Sequence, residues 1–84
     1  MITLKEIERQ LTTDFSPEKL TIDDDSHLHS GHFEGDGGVS HITINILSEK
    51  FLEKSRVHVH RLIYRSLDPF IKRGLHAIKI VVMQ

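Results

Sequence analysis

The chain has 84 residues, seven histidines and no cysteine, and its formal net charge is −1. This length suits one small domain over residues 1–84, which must be stabilised by packing because no disulfide can form, and no stretch approaches the roughly 20 apolar residues of a membrane span. The N-terminus lacks the basic-then-apolar pattern of a secretory signal, so we expect a cytoplasmic protein.

Charge is distributed unevenly along the chain. Residues 1–36 carry nine acidic and three basic side chains, whereas residues 37–84 carry eight basic and three acidic ones. A basic half of this kind suits an acidic partner or a phosphate-bearing ligand.

The first predicted element is a helix near residues 4–12. Thr3 and Glu6 have the spacing of a capping box, and Ile2 and Ile7 are placed to form the hydrophobic staple that often accompanies one. Apolar residues then recur at helical spacing, which indicates one buried face.

Two strands are predicted next, separated by a polar loop over residues 25–38. Residues 20–22 form a short, partly β-branched segment before a run of three aspartates. Residues 39–47 alternate between isoleucines and polar side chains, the period of a half-buried strand. His41 has the parity of the polar face, so we expect it to point into solvent.

The second half of the chain predicts two helices and a third strand. Ser48 and Ser55 are placed to cap a short helix and a longer helix, respectively. We expect Asp68 and Pro69 to interrupt the longer helix, because the residue before a proline avoids the α region. Residues 75–83 are nearly continuous in isoleucine and valine, as in a buried strand.

The element order is therefore αββααβ. The two middle strands can pair as a hairpin, and the last strand, reached by a helical crossover, is expected to run parallel to one of them. This order predicts an α+β fold, a two-layer sandwich with a three-stranded mixed sheet and helices on one face.

The predicted loop is the richest source of metal ligands in the chain. His27, His29 and His32 fall within six residues of one another. Imidazole is the commonest metal ligand and titrates near neutral pH, so this concentration indicates metal capture or proton sensing. A chain without thiols supplies only part of an iron–sulfur site, so a partner would have to bring the sulfur. A zinc site built from the loop histidines alone is the weaker alternative.

Five short motifs, in their order and spacing over nearly the whole chain, resemble the BolA family. They are Asp24-Asp25-Ser26 with His29, Ser40-His41-Ile42, Phe51, the helical run from Val59 to Tyr64, and His76-Ala77. The resemblance implies a class II KH-like αββααβ domain, in agreement with the fold predicted from periodicity.

The same resemblance implies a function. BolA proteins that partner a monothiol glutaredoxin hold a [2Fe–2S] cluster between the two proteins, with sulfur ligands from the glutaredoxin cysteine and glutathione. The BolA side supplies a histidine that opens the last strand, matched here by His76, and a loop ligand, matched by His29 with His27 as the alternative. The expected protein is a non-enzymatic adaptor in iron–sulfur trafficking or iron sensing, without a cluster when alone and a monomer or weak homodimer. A purely structural alternative exists, because His76 has the parity of a core-facing row.

A DNA-binding regulator is the second functional class. Some family members are described as transcriptional regulators, and the helix over residues 56–65 is basic, with candidate contacts Arg56, His60, Arg61 and Arg65. Where the family usually reads Arg-His-Arg, this chain has valine at the first position, which removes one guanidinium. The glycine-rich stretch lies between strands, so RNA binding in the KH manner is not expected. No catalytic motif is present, and we expect no enzyme activity.

Overall fold

The computed structural model describes residues 1–26 and 38–83. Its elements follow the order predicted from the sequence, except that a single 3-10 turn replaces the predicted short helix. In chain order they are α1 (Leu4–Phe15), β1 (Lys19–Asp24), β2 (His41–Leu47), the 3-10 helix Glu49–Phe51, α2 (Arg56–Ile71) and β3 (Ala77–Val82).

The three strands form one mixed sheet in the order β1-β2-β3. β1 pairs antiparallel with β2, and β2 pairs parallel with β3, which confirms the predicted hairpin and the predicted parallel pairing. Asp24 lies opposite Ile42, and His41 lies opposite Ala77. The end of β1 and the starts of β2 and β3 therefore meet at one end of the sheet, which we call the histidine end.

The core lies between the sheet and the two helices. The inward isoleucines of the central strand, Ile42, Ile44 and Ile46, are at most 2% exposed. Burying a side chain of this size contributes about 1.5–3 kcal/mol. The helices contribute a matching set of fully or almost fully buried residues, Ile7, Leu11, Val59, Ile63 and Leu67. The predicted α+β sandwich, with its helices on one face of a mixed sheet, is confirmed.

The start of α1 has the geometry that the sequence predicts. The Thr3 hydroxyl oxygen accepts a hydrogen bond from the backbone N–H of Glu6 at 3.3 Å, and the Glu6 carboxylate accepts one from the backbone N–H of Thr3 at 2.9 Å. Ile2 and Ile7 are both buried, as expected for the staple. The capping box therefore starts the helix and also places the N-terminal segment against the core.

We predict that Glu6 makes the stability of the fold depend on pH. The hydrogen bond from the backbone N–H of Thr3 lowers the pKa of Glu6, and the nearby Arg73 guanidinium lowers this pKa further. A carboxylate with a lowered folded-state pKa stabilises the fold above its unfolded-state pKa, roughly pH 4, and this contribution is lost as pH falls through the lower folded-state value. Glu6→Gln should therefore reduce urea stability at pH 7 and have a smaller effect near pH 3. An equal effect at both pH values would contradict the prediction.

The predicted interruption at Asp68 and Pro69 is wrong, because α2 runs through both residues. A proline inside a helix removes one backbone hydrogen bond and favours a kink. Here Leu67, two residues before the proline, is fully buried, and Phe70, directly after it, is 7% exposed, so the helix is packed against the core on both sides of Pro69. Tertiary packing therefore overrides the local preference.

None of the helices in residues 1–26 and 38–83 is long and apolar enough to cross a membrane.

Several predicted element boundaries also differ from those in the structure. α1 continues three residues beyond the predicted end, because the ring of Phe15 packs against that of Phe51 with 5.2 Å between centroids. β2 and β3 each begin two residues later than predicted. The residues lost from these strands include Val39 and Leu75, which are buried core residues outside the ladder.

Candidate metal centre

Backbone hydrogen bonds bring two histidines together at the histidine end. The carbonyl of Ser40, just before β2, accepts hydrogen bonds from the backbone N–H groups of His76 at 2.7 Å and Ala77 at 3.1 Å. His41 follows Ser40 directly and opens β2, and His76 directly precedes β3. The parallel pairing of these two strands therefore places the two histidines side by side. Their relative position is therefore a consequence of sheet topology.

The two imidazole rings are in contact. Their centroids are 5.4 Å apart and their planes are inclined by 54°. His76 is exposed and His41 is partly buried. His76 thus stands at the exposed end of the row of Ile78, Ile80 and Val82, which pack against the core. The expectation that His41 simply faces solvent needs correction, because its ring contacts His76 and its Nδ1 lies 2.8 Å from the hydroxyl oxygen of Ser40.

Ser26, the residue that leads into the predicted loop, is hydrogen-bonded to the histidine end of the sheet. The Ser26 hydroxyl oxygen accepts hydrogen bonds from the backbone N–H groups of Ser40 at 2.9 Å and His41 at 3.3 Å. The backbone N–H of Ser26 in turn donates to the Asp24 carboxylate at 2.9 Å. The chain therefore enters the segment 27–37 beside the two histidines.

Asp25 adds a second attachment at the same place. Its backbone N–H donates to the carbonyl of His41 at 2.8 Å, and its carboxylate accepts a hydrogen bond from the Thr43 hydroxyl at 2.6 Å. The loop histidines themselves, His27, His29 and His32, lie outside the described residues. Their distance from His76 stays a prediction, although the point at which their segment begins is now known.

The exit from the same segment is closely packed. Val39 donates a backbone hydrogen bond to the carbonyl of Ile2 at 3.0 Å. A Cβ added to Gly38 would stand 2.3 Å from the backbone nitrogen of Ile2 and 2.4 Å from its carbonyl oxygen. Only glycine therefore fits where the N-terminal segment crosses the chain leading into β2.

The described part of the chain offers a limited set of metal ligands. Within residues 1–26 and 38–83, no group of three or more histidine, aspartate or glutamate side chains is placed to hold a metal ion. His41 and His76 can thus supply two imidazole nitrogens. A complete coordination shell at the histidine end needs water, the loop histidines or a partner.

The basic residues predicted to contact DNA do not form one surface. Arg61 and Arg65 are one turn apart and share the exposed side of α2, whereas His60 lies about 100° and Arg56 about 140° around the helix from Arg61. The three arginines have no ion pair within the described ranges. Other bases of this half are already engaged: Lys50 donates to the carbonyl of Asp14, Lys72 pairs with Asp68, and Arg73 pairs with Glu6.

The element order and the three-stranded mixed sheet, covered by helices on one face, define a small α+β domain of the class II KH-like type. A family model for BolA-like proteins matches residues 11–84. The chain belongs to the BolA family, as its five motifs predict.

Individual comparisons agree with this assignment. The solved structure of BolA1 from Arabidopsis thaliana is 32% identical, has a TM-score of 0.84, and aligns over 93% of this chain and 86% of its own. The chain is 40% identical to SufE-like protein 1, chloroplastic/mitochondrial, from Arabidopsis thaliana, over 89% of this chain but 22% of that protein. It thus spans about a fifth of that relative.

A bacterial relative carries a more specific name. The DNA-binding transcriptional regulator BolA of Haemophilus influenzae is 31% identical over 88% of this chain and 69% of its own length. The relatives of this chain therefore include a protein named as a regulator and a larger protein in which the BolA part is one portion.

Proposed function

We propose that this chain is a non-enzymatic adaptor that binds a monothiol glutaredoxin and shares a [2Fe–2S] cluster with it, in iron–sulfur trafficking or iron sensing. The observation that carries the proposal is the exposed imidazole of His76 at the histidine end. Membership of the BolA family supports it, because the motif that contains His76 is the one whose histidine serves as cluster ligand in family members that partner a glutaredoxin.

The donor set of this chain fits a shared cluster. The chain has no thiol, so the glutaredoxin cysteine and glutathione would provide the sulfur ligands. His76 is exposed, which lets a partner approach without rearranging the core. Neutral imidazole in place of thiolate raises the reduction potential of a cluster, so such a site would differ from one with cysteine ligands alone.

The second imidazole of the proposed site comes from the segment 27–37. His29 is the ligand that the resemblance implies, and His27 is the alternative. Support comes from the anchoring of Ser26, because the chain enters this segment through a residue hydrogen-bonded to Ser40 and His41. A loop that starts there begins beside His76.

A mixing experiment tests the proposal. The purified chain is added to a cluster-loaded monothiol glutaredoxin in the presence of glutathione, and the products are followed by size-exclusion chromatography and visible circular dichroism. We expect a heterodimer whose visible spectrum differs from that of the glutaredoxin homodimer, and no cluster on the chain alone. A glutaredoxin whose active-site cysteine is replaced by serine is the control. Separate elution with an unchanged glutaredoxin spectrum would refute the proposal.

DNA binding is the second candidate function. The name of the Haemophilus influenzae relative favours it, as does the exposure of Arg61 and Arg65 on one side of α2 without an ion pair in the described ranges. Two guanidinium groups one turn apart can contact adjacent phosphates. The separation of Arg56 and His60 from this side limits the number of contacts a single duplex can make.

The DNA-binding candidate predicts a specific dependence on salt. Each phosphate contact contributes about −0.9 to the slope of log affinity against log salt concentration, so Arg61→Ala and Arg65→Ala should each make the slope shallower by about 0.9. Fluorescence anisotropy with a labelled duplex measures this slope. Lys5→Ala on α1 is the matched control, because it removes an exposed positive charge elsewhere. Equal slopes for all the variants would exclude DNA binding through this side of α2.

A further inference from the structure

We infer that His41 and His76 together form a binding site for one divalent transition-metal ion, such as Zn²⁺, in the protein without a partner. We call these two residues the histidine pair. The proposed cluster site uses His76 with a loop histidine, whereas this site uses His76 with His41. It also differs from a zinc site made of loop histidines, because both of its ligands are held by the sheet. It does not depend on a glutaredoxin.

The geometry of the rings carries this inference. Two imidazoles bound to one tetrahedral zinc ion, with Zn–N distances of about 2.0–2.1 Å, bring their ring centroids to about 5 Å from each other. The centroids of the histidine pair are 5.4 Å apart. The 54° inclination of the planes also separates this arrangement from a face-to-face stack. The spacing of the two rings is therefore close to the spacing that a shared ion requires.

The backbone holds the two residues at this spacing before any ion arrives. His41 is in the central strand, and His76 is joined to the same end of the sheet by its 2.7 Å hydrogen bond to the carbonyl of Ser40. A site built on neighbouring strands keeps its ligands closer to a productive geometry than one built on a loop. Most of the conformational entropy of the two ligand residues is therefore already lost when the protein folds, before the ion binds.

Ser40 provides the supporting contact that metal-binding histidines usually have. Its hydroxyl oxygen lies 2.8 Å from Nδ1 of His41, and the residue is 3% exposed. When Nδ1–H donates to this oxygen, Nε2 of the ring carries the lone pair that a metal needs, and the hydrogen bond orients the ring. The backbone N–H of Ser40 is itself bound by Ser26, which fixes the supporting residue.

The chemistry of the ligands selects the class of ion. Imidazole nitrogens suit Zn²⁺, Ni²⁺ and Cu²⁺, whereas Mg²⁺ and Ca²⁺ prefer oxygen ligands. Asp24 and Asp25, at the same end of the sheet, already accept hydrogen bonds from Ser26 and Thr43. The histidine pair therefore leaves positions on the ion for water, and an ion bound there competes with any other metal group that uses His76.

The test is a Zn²⁺ titration of the full chain without a partner. The three loop histidines are first replaced with alanine (H27A/H29A/H32A), which leaves the histidine pair intact. We expect calorimetry to show one Zn²⁺ per chain, and NMR spectra of the histidine side chains to show His41 and His76 shifting together. Adding His41→Ala or His76→Ala should weaken binding at least tenfold. His58→Ala, which removes an exposed histidine of α2, is the matched control and should change nothing.

Two results would overturn the inference. One is loss of Zn²⁺ binding in the chain that lacks only the loop histidines, which would assign the ion to the loop. The other is a titration in which the resonances of His41 and His76 stay in place. The NMR measurement is made with both rings present, so its outcome does not depend on whether the alanine variants fold. Because no glutaredoxin is present, failure here leaves the proposed cluster function to be decided by the mixing experiment.

Discussion

Replacing His76 with alanine should abolish the visible spectrum of the mixed complex with a cluster-loaded monothiol glutaredoxin. The chain contains no thiol, and His76 is the iron ligand that the proposed complex takes from β3's end of the sheet, so the substitution removes that ligand. His76 is exposed, so we expect the alanine variant to fold normally, and unfolding curves of both proteins check this directly.

The measurement is visible circular dichroism after mixing with glutaredoxin and glutathione. His58→Ala is the control, because it removes another exposed histidine at the start of α2. His29→Ala should weaken the spectrum, and His27 should partly compensate, so the double variant H27A/H29A should lose more than either single variant. Size-exclusion chromatography separates loss of the cluster from loss of the heterodimer. An intact mixed spectrum in His76→Ala would refute the assignment and make His60 the next candidate.

Replacing Gly38 with alanine should destabilise the fold by about 1–3 kcal/mol, the range typical of overpacking in a closely packed site. The added Cβ would lie 2.3 Å from a backbone nitrogen of Ile2, and backbone atoms cannot move aside as a flexible side chain can. Ile2 is 1% exposed and forms part of the core, so its displacement also exposes apolar surface. Urea unfolding monitored by far-ultraviolet circular dichroism measures the loss.

A double-mutant cycle identifies the cause of this loss. Removing residues 1–2 is destabilising by itself, because Ile2 is buried, but it also removes the backbone that the new Cβ would meet. Gly38→Ala should therefore have little further effect in the trimmed chain, giving a coupling energy close to the whole effect of the single substitution. An undiminished effect in the trimmed chain would show that Gly38 is required for another reason.

The parts of the fold that the sequence predicts well depend on local interactions. The capping box at Thr3 and Glu6 joins residues three apart, and the alternation of β2 reflects one strand with one buried face. Pro69 shows the limit of such reasoning. Its local preference against a helix interior is real, but the burial of Leu67 and Phe70 outweighs it.

The candidate site shows the same division. His76 is found from a motif, whereas His41 has the parity of an exposed strand position and shows no sign in the sequence that it contacts another histidine. The contact of His41 with His76 could be predicted if the parallel pairing of β2 with β3 were known, because two parallel strands begin at the same end of a sheet. The sequence predicts a parallel partner for the last strand without saying which of the two earlier strands it is.

The sequence by itself determined the order and kind of the elements, the inward face of β2 and the family, because these follow from short-range periodicity, capping and motif spacing. Tertiary structure alone decided the neighbours of the histidine end. Ser26, Ser40, His41 and His76 are brought together by contacts between residues 14 to 36 positions apart in the chain. Such contacts depend on which strand lies in the centre of the sheet, and that choice is made by packing of the whole core.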